Sequence, residues 1–175
     1  MKAFFLVGLV VMTCCLALVD VAQAQSVFAD KNLENVVRQY VFAKKNNQEP
    51  LTEDDVKNIS TIYGKKSKIT NLAGLEKCKA LQLLDLEENE VADLAPLKEL
   101  KLLQSLNLAK NKINNLAPLA DLTALQYLQL DGNQIVDLAP LAKMENMMAL
   151  YLAKNQVKDL QPIASLAKIH ALYLE

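Results

Sequence analysis

Asp85, Glu87, His170, Cys78 and Ser165 are the side chains whose types could support acid–base or nucleophilic chemistry. On a strand, residues two apart stand on one face roughly 6.5–7 Å from each other, a separation that suits a carboxylate pair for glycoside cleavage. A Cys–His or Ser–His arrangement needs His170, the sole histidine, to meet a positioned nucleophile. Yet Cys78 falls in an apolar column, Ser165 lies on a return segment, and His170 occupies a variable position where a solvated side chain is expected. No His, Cys, Asp or Glu group has metal-ligand spacing. Without convergent polar groups in a cleft, Asp85 and Glu87 read as a solvated charge cluster. The chain is therefore expected to be no enzyme, with no catalytic residue, no metal and no cofactor.

What positions these residues is a repeat. Asn89, Asn111, Asn133 and Asn155 are each 22 residues apart. Around them run fixed apolar columns: Leu84, Leu106, Leu128, Leu150 and Leu172; Leu86, Leu108, Leu130, Leu152 and Leu174; Val91, Ile113, Ile135 and Val157. Pro96, Pro118, Pro140 and Pro162 follow, each preceding Leu or Ile by one residue. A degenerate earlier copy holds Ile59, Ile62, Ile69, Leu72, Leu75 and Cys78, with Gly64 and Ser67 where Leu and Asn would stand. Such self-similarity at one period is the signature of a stacked array.

In Leu106-Asn107-Leu108 the side chains alternate, so the leucines face inward and Asn107 outward on a short half-buried strand. Twenty-two residues cannot also hold a long helix, so the return path should be extended or a 3₁₀ turn, a path that proline suits. A single repeat cannot bury enough surface to offset the ordering of its own chain; stacked neighbours supply it. The asparagine carboxamide, both donor and acceptor, is suited to satisfying backbone groups in the turn after each strand.

The spelling L-x-x-L-x-L-x-x-N-x-I-x-x-L-x-P-L over residues 59–175 resembles the leucine-rich repeat in its 22-residue, internalin-like bacterial form. The resemblance implies an α/β leucine-rich-repeat solenoid: right-handed, with parallel β-strands on the concave face, a 3₁₀ or extended convex side and an N-terminal helical cap. It also implies a protein-binding role, with host surface receptors or the organism's own envelope proteins as the partner class.

Residues 25–58 fit such a cap. Asp30 can cap a helix whose Leu33, Val36, Val37, Tyr40 and Val41 form an apolar stripe, and Thr52 with Asp55 reads as a capping-box variant after Pro50. A two-helix lid is expected. Nothing comparable closes the far end, "HALYLE", so that strand edge could pair with another molecule.

Residues 1–24 carry Lys2, an apolar run from Ala3 to Val19 and Ala22-Gln23-Ala24, the pattern of a cleaved secretory signal; an uncleaved anchor is the alternative. The residues around Cys14 and Cys15 suit a lipoprotein signal poorly. After cleavage Cys78 alone remains, so the exported domain has no internal disulfide and rests on packing. A net charge of −1 without a basic stripe argues against nucleic acid. Lys65 to Lys68, "KKSK", reads as a solvated turn. The sequon Asn58-Ile59-Ser60 would matter only in a eukaryotic secretory host.

The constant columns build the interior, which leaves the outward strand positions free to contact a partner. These are Asp85, Asn107, Gln129, Tyr151 and Tyr173 between the strand leucines; Leu83, Ser105, Tyr127, Ala149 and Ala171 before them; and Glu87, Ala109, Asp131, Ala153 and Glu175 after. Tyrosine joins apolar area to a polar tip, and the candidate contact set is Asp85, Glu87, Asn107, Tyr127, Gln129, Asp131, Tyr151 and Tyr173. The expected function is capture of a protein by an exported module, secreted or held in the periplasm or cell envelope, without stable membrane insertion after cleavage. Self-assembly through the C-terminal strand and carbohydrate recognition by the tyrosines are the alternatives. The export reading predicts a mature chain that begins at Gln25, which N-terminal sequencing of exported material checks; a chain retaining Met1 contradicts it.

Overall fold

The computed structural model describes residues 25–175, so the candidate signal, residues 1–24, lies outside the described residues. Two short helices come first, α1 (Lys31–Arg38) and α2 (Glu53–Val56), with a 3₁₀ turn, Phe42–Lys44, between them. Six three-residue strands follow: β1 (Thr61–Tyr63), β2 (Leu83–Asp85), β3 (Ser105–Asn107), β4 (Tyr127–Gln129), β5 (Ala149–Tyr151) and β6 (Ala171–Tyr173). They form one parallel sheet in chain order, and each residue pairs with the one 22 positions on, as in Leu84 with Leu106. A 3₁₀ turn lies on each return path, at Leu75–Lys77, Ala95–Leu97, Ala117–Leu119, Ala139–Leu141 and Gln161–Ile163.

The leucine and isoleucine columns are buried and form one continuous core from Phe28 to Leu166. At β6 this cover ends, and Leu160, Leu172 and Leu174 are exposed. Proline takes the second position of the last four 3₁₀ turns, where a missing N–H costs nothing because the first donors of a helical turn have no partner within it. A second polar column, which the repeat alone had not singled out, starts these turns. The Oδ1 atoms of Asp93, Asn115, Asp137 and Asp159 accept the N–H two residues on, at 2.8–2.9 Å.

The asparagine column stitches the repeats together. Asn111 Nδ2 donates to the carbonyls of Leu86, Leu108 and Ala109, while its Oδ1 accepts from the Val91 N–H at 2.9 Å. Asn89, Asn133 and Asn155 repeat the pattern, so the Leu86, Leu108 and Leu130 carbonyls each receive one carboxamide from their own repeat and one from the next. Just before each asparagine, and before Ser67 in the first copy, the backbone turns left-handed, with φ of 55° to 66° at Lys66, Glu88, Lys110, Gly132 and Lys154. Only one of these five is glycine, so the stack imposes a conformation that its side chains disfavour.

The degenerate first copy has a physical reason. A Cβ on Gly64 would stand 3.0 Å from Leu86 Cδ2 and 3.1 Å from Val36 Cγ1, so glycine is what lets α1 close onto the first repeat. Asp30 fastens the same junction. Its Oδ1 caps α1 through the Asn32 and Leu33 N–H groups, and its Oδ2 accepts from the Thr70 and Asn71 N–H groups and the Thr70 hydroxyl. The expected second lid helix is a single turn, since Pro50 bounds its start and the chain must extend into β1 by Thr61. Both the N–H and the hydroxyl of Thr52 donate to Asp55 Oδ2. Buried Arg38, hidden within the helical pattern, pairs with Glu34 at 2.5 Å and donates to the carbonyls of Lys44, Asn47 and Glu49, which shapes the loop between the helices.

Among the described residues, Asn111→Ala removes the only acceptor of the buried Val91 N–H and one of two side-chain donors from the Leu86 and Leu108 carbonyls. A loss of about 2–3 kcal/mol in urea unfolding at unchanged m-value is expected, against less than about 0.5 kcal/mol for Asn114→Ala at an exposed position.

Candidate functional site

Parallel pairing puts Tyr63, Asp85, Asn107, Gln129, Tyr151 and Tyr173 side by side in one row on the solvent face of the sheet. Thr61, Leu83, Ser105, Tyr127, Ala149 and Ala171 make the adjacent row. Asn107, Tyr127, Gln129 and Tyr151 come together with Ser105 around a shallow hollow of about 320 Å³. Asp85 and Glu87 lie beyond it toward β1, Tyr173 lies at its far end, and Asp131 follows Gln129 where the chain leaves β4.

Tyr151 and Tyr173 stack in parallel, with ring centroids 4.6 Å apart and planes 4° apart. Strand spacing accounts for this, because neighbouring strands hold equivalent side chains at nearly ring-stacking distance. Tyr127 stands in the other row and is 45% exposed. Two alanines expected on this face are covered instead: Ala109 and Ala149 are buried, because a methyl group does not clear longer neighbours such as Tyr127 in register with Ala149.

Sequence reasoning missed Tyr63, which is 58% exposed and heads the row of Tyr151 and Tyr173. Its position 22 residues before Asp85 was the available signal, hidden in the degenerate first copy. Tyr40, assigned to the helical stripe, lies beyond the end of α1 and is partly exposed; its hydroxyl oxygen accepts from the Tyr63 N–H at 2.8 Å.

The acidic candidates divide. Glu87 is held by Lys65 at 2.7 Å and by Lys110 at 3.4 Å, within a cluster that joins Glu88 to Lys66 and Lys110. Hydrogen bonds from Lys110 and Lys66 hold the Glu88 carboxyl at about 2. Three of the lysines expected to be merely solvated, Lys65, Lys66 and Lys68, thus face the acidic copy that follows, and Glu90 is paired with Lys112 at 2.6 Å. Asp85 makes no ion pair among the described residues; its Oδ1 accepts the Glu87 N–H.

The other reactive side chains stay apart. Burial, aided by the Glu76 carboxylate, pushes the Cys78 thiol up to about 12, so it is a core group and no nucleophile. His170 is exposed beside β6, with its ring nitrogen near only the Lys168 carbonyl at 3.4 Å. Among the described residues no three His, Cys, Asp or Glu side chains are grouped to hold a metal, and no helix is long and apolar enough to cross a membrane.

A stacked parallel sheet with 22-residue turns, an asparagine ladder and a varied outer row defines the leucine-rich-repeat class. The family model for leucine-rich repeats in two copies matches residues 101–143. The fold is similar to an internalin, InlF, of Listeria monocytogenes: 25% identity over 89% of this chain and 54% of that one, TM-score 0.74. The functional domain of InlJ from the same organism matches at 21% identity over 86% of this chain and 38% of its own, TM-score 0.65. The leucine-rich-repeat ectodomain of the plant receptor kinase GASSHO1/SCHENGEN3 from Arabidopsis thaliana, solved in complex with Casparian strip integrity factor 2, shares 28% identity over 60% of this chain and 14% of that one, TM-score 0.55. No curated protein matches the chain. The fold is a leucine-rich-repeat solenoid, similar to internalins in repeat length and architecture, and the chain spans about half the length of the InlF structure.

Two carboxyls sit well below their ordinary values. Glu88 falls from 4.5 to about 2, and at Asp55 burial pushes up but hydrogen bonds from Lys44 and Thr52 prevail, again at about 2. Between those limits the unfolded chain binds more protons than the folded one, so stability present above about pH 4.5 is lost progressively toward about pH 2. The urea midpoint is expected to fall over that range, and Glu88→Gln to flatten part of the fall; equal slopes in both proteins would contradict the pairing.

Proposed function

We propose that this is an exported, non-enzymatic module, secreted or held in the cell envelope, that captures a protein partner on its strand face. The observation that carries the reading is the register of the outer row. Side chains that differ in every repeat, from Asp85 through Asn107 and Gln129 to Tyr151, stand in line on a solvent face, while the columns that are constant in type lie inside. Variable side chains held in line on a rigid surface are how an array with a fixed interior acquires a specific contact area.

The tyrosine geometry favours protein over carbohydrate. A sugar ring stacks on an open aromatic face, and mutual stacking uses one face of both Tyr151 and Tyr173. Tyr173 is still 53% exposed and Tyr151 partly exposed, as suits contact with a polypeptide. A second reading, self-association at β6, draws on the exposed Leu172 and Leu174 beside an apolar hollow lined by Leu160, Ile163 and Leu166.

The test is affinity capture with residues 25–175 from host and self extracts, repeated with Tyr127→Ala. Tyr127 stacks with no other ring among the described residues, so its loss should leave stability within about 0.5 kcal/mol while weakening capture about tenfold or more, as for a buried aromatic anchor. Capture unchanged by Tyr127→Ala and Tyr151→Ala places the contact elsewhere, and a mass that rises with concentration in light scattering supports the self-association reading.

A further inference from the structure

The strand face is electrostatically unbalanced, and the imbalance says what it takes. Its outer rows hold the carboxylates of Asp85, Glu87 and Asp131 but, between β1 and β5, only one cation, Lys65. Lys65 is already paired with Glu87 at 2.7 Å, and the nearby turn lysines Lys66, Lys110 and Lys112 are bound to Glu88 and Glu90. Asp85 and Asp131 have no such partner among the described residues, and Lys154, in the turn beyond Ala153, makes no salt bridge to Asp131. Each carboxylate is nevertheless held in place. Asp85 Oδ1 accepts the Glu87 N–H at 3.0 Å, and Asp131 Oδ1 accepts the Ala153 N–H at 2.8 Å from the next repeat. The second oxygen of Asp85 has no protein donor among the described residues, and that of Asp131 meets only the Gln129 carboxamide at 3.4 Å. Both are fixed acceptors that face solvent.

We propose that the occupant of this face is an extended, cationic polypeptide segment, whose lysine or arginine side chains meet Asp85 and Asp131 and whose backbone lies along Asn107 and Gln129. The inference rests on the reading of the strand face as the binding surface. From strand spacing and residue rise, the two carboxylates are roughly 12 Å apart, a span that an extended chain covers with side chains about four residues apart. Between them, Asn107, whose Oδ1 accepts the Ala109 N–H at 3.1 Å, keeps its Nδ2 to donate, and Gln129, whose Nε2 reaches Asp131 at 3.4 Å, keeps its Oε1 to accept from a peptide backbone. The Tyr127 ring, 45% exposed, adds a surface on which a further cation can rest. The same charges disfavour an acidic segment, so the face discriminates by repulsion as well as attraction.

The experiment uses residues 25–175 and three fluorescein-labelled twelve-residue peptides that alternate serine with lysine, glutamine or glutamate, followed by fluorescence polarisation. The lysine peptide is expected to bind about tenfold or more tightly than the glutamine one and to lose affinity with added salt; the glutamate peptide should not bind. Asp85→Asn with Asp131→Asn keeps both Oδ1 acceptors and should erase the lysine preference. Glu99→Gln with Asp121→Asn makes the same charge change at exposed return-path positions and should leave the preference intact. No binding of the lysine peptide up to about millimolar concentration overturns the proposal, as does equal loss in both double variants. Partner capture that depends on Tyr127 but not on Asp85 and Asp131 also overturns the cationic assignment, while the strand face stands as the binding surface. Capture that ignores Tyr127 and Tyr151 as well removes the underlying reading.

Discussion

The whole array depends on one constraint: past each three-residue strand the sheet stops, yet the backbone continues through a tight turn whose polar groups are buried among apolar neighbours. Such groups need partners. The asparagine carboxamide supplies them in both directions, donating to carbonyls of its own and the preceding repeat and accepting an N–H from the preceding repeat. Because each leucine carbonyl at the strand end receives two of these donors, no repeat closes its turn alone. The leucine core drives stacking, but the ladder sets the register of one copy on the next, and the register aligns the outer row.

The same constraint explains what the surface can and cannot vary. Left-handed backbone before each asparagine, and before Ser67, holds Lys66, Glu88, Lys110 and Lys154 where only Gly132 fits without penalty. Lysine and glutamate at these positions are disfavoured locally, and at three of the five they compensate by pairing across the stack. On the strand face the requirement is looser, since the outward side chains are not part of the hydrophobic core. Tyrosines, amides and unpaired carboxylates therefore coexist there on a rigid support.

Near the N-terminus the array meets a different problem, because its first copy must face a helix instead of another repeat. Gly64 makes room for Val36, Ser67 donates its N–H to Asn89, and Asp30 ties helix and turn together with its two carboxylate oxygens. What looks in the sequence like decay of the repeat is adaptation of its end.

The period of 22, the strand positions, the return turns and the buried columns were legible in the chain, because each follows from local spacing repeated without interruption. The outer rows were legible for the same reason, including the face shared by Tyr127, Tyr151 and Tyr173, but Tyr63 in the degenerate first copy was not. Partnerships that cross repeats were not. Whether Glu87 is free or held by Lys65 and Lys110, whether Asp30 serves one segment or two, and whether Arg38 is a surface charge or the buried support of a loop depend on where segments distant in sequence come to rest. The sequence by itself determined which side of the chain points outward, since alternation and period are properties of the chain alone. Only the tertiary structure decided which outward charges are cancelled and which remain, because that depends on distances between side chains that stacking brings together.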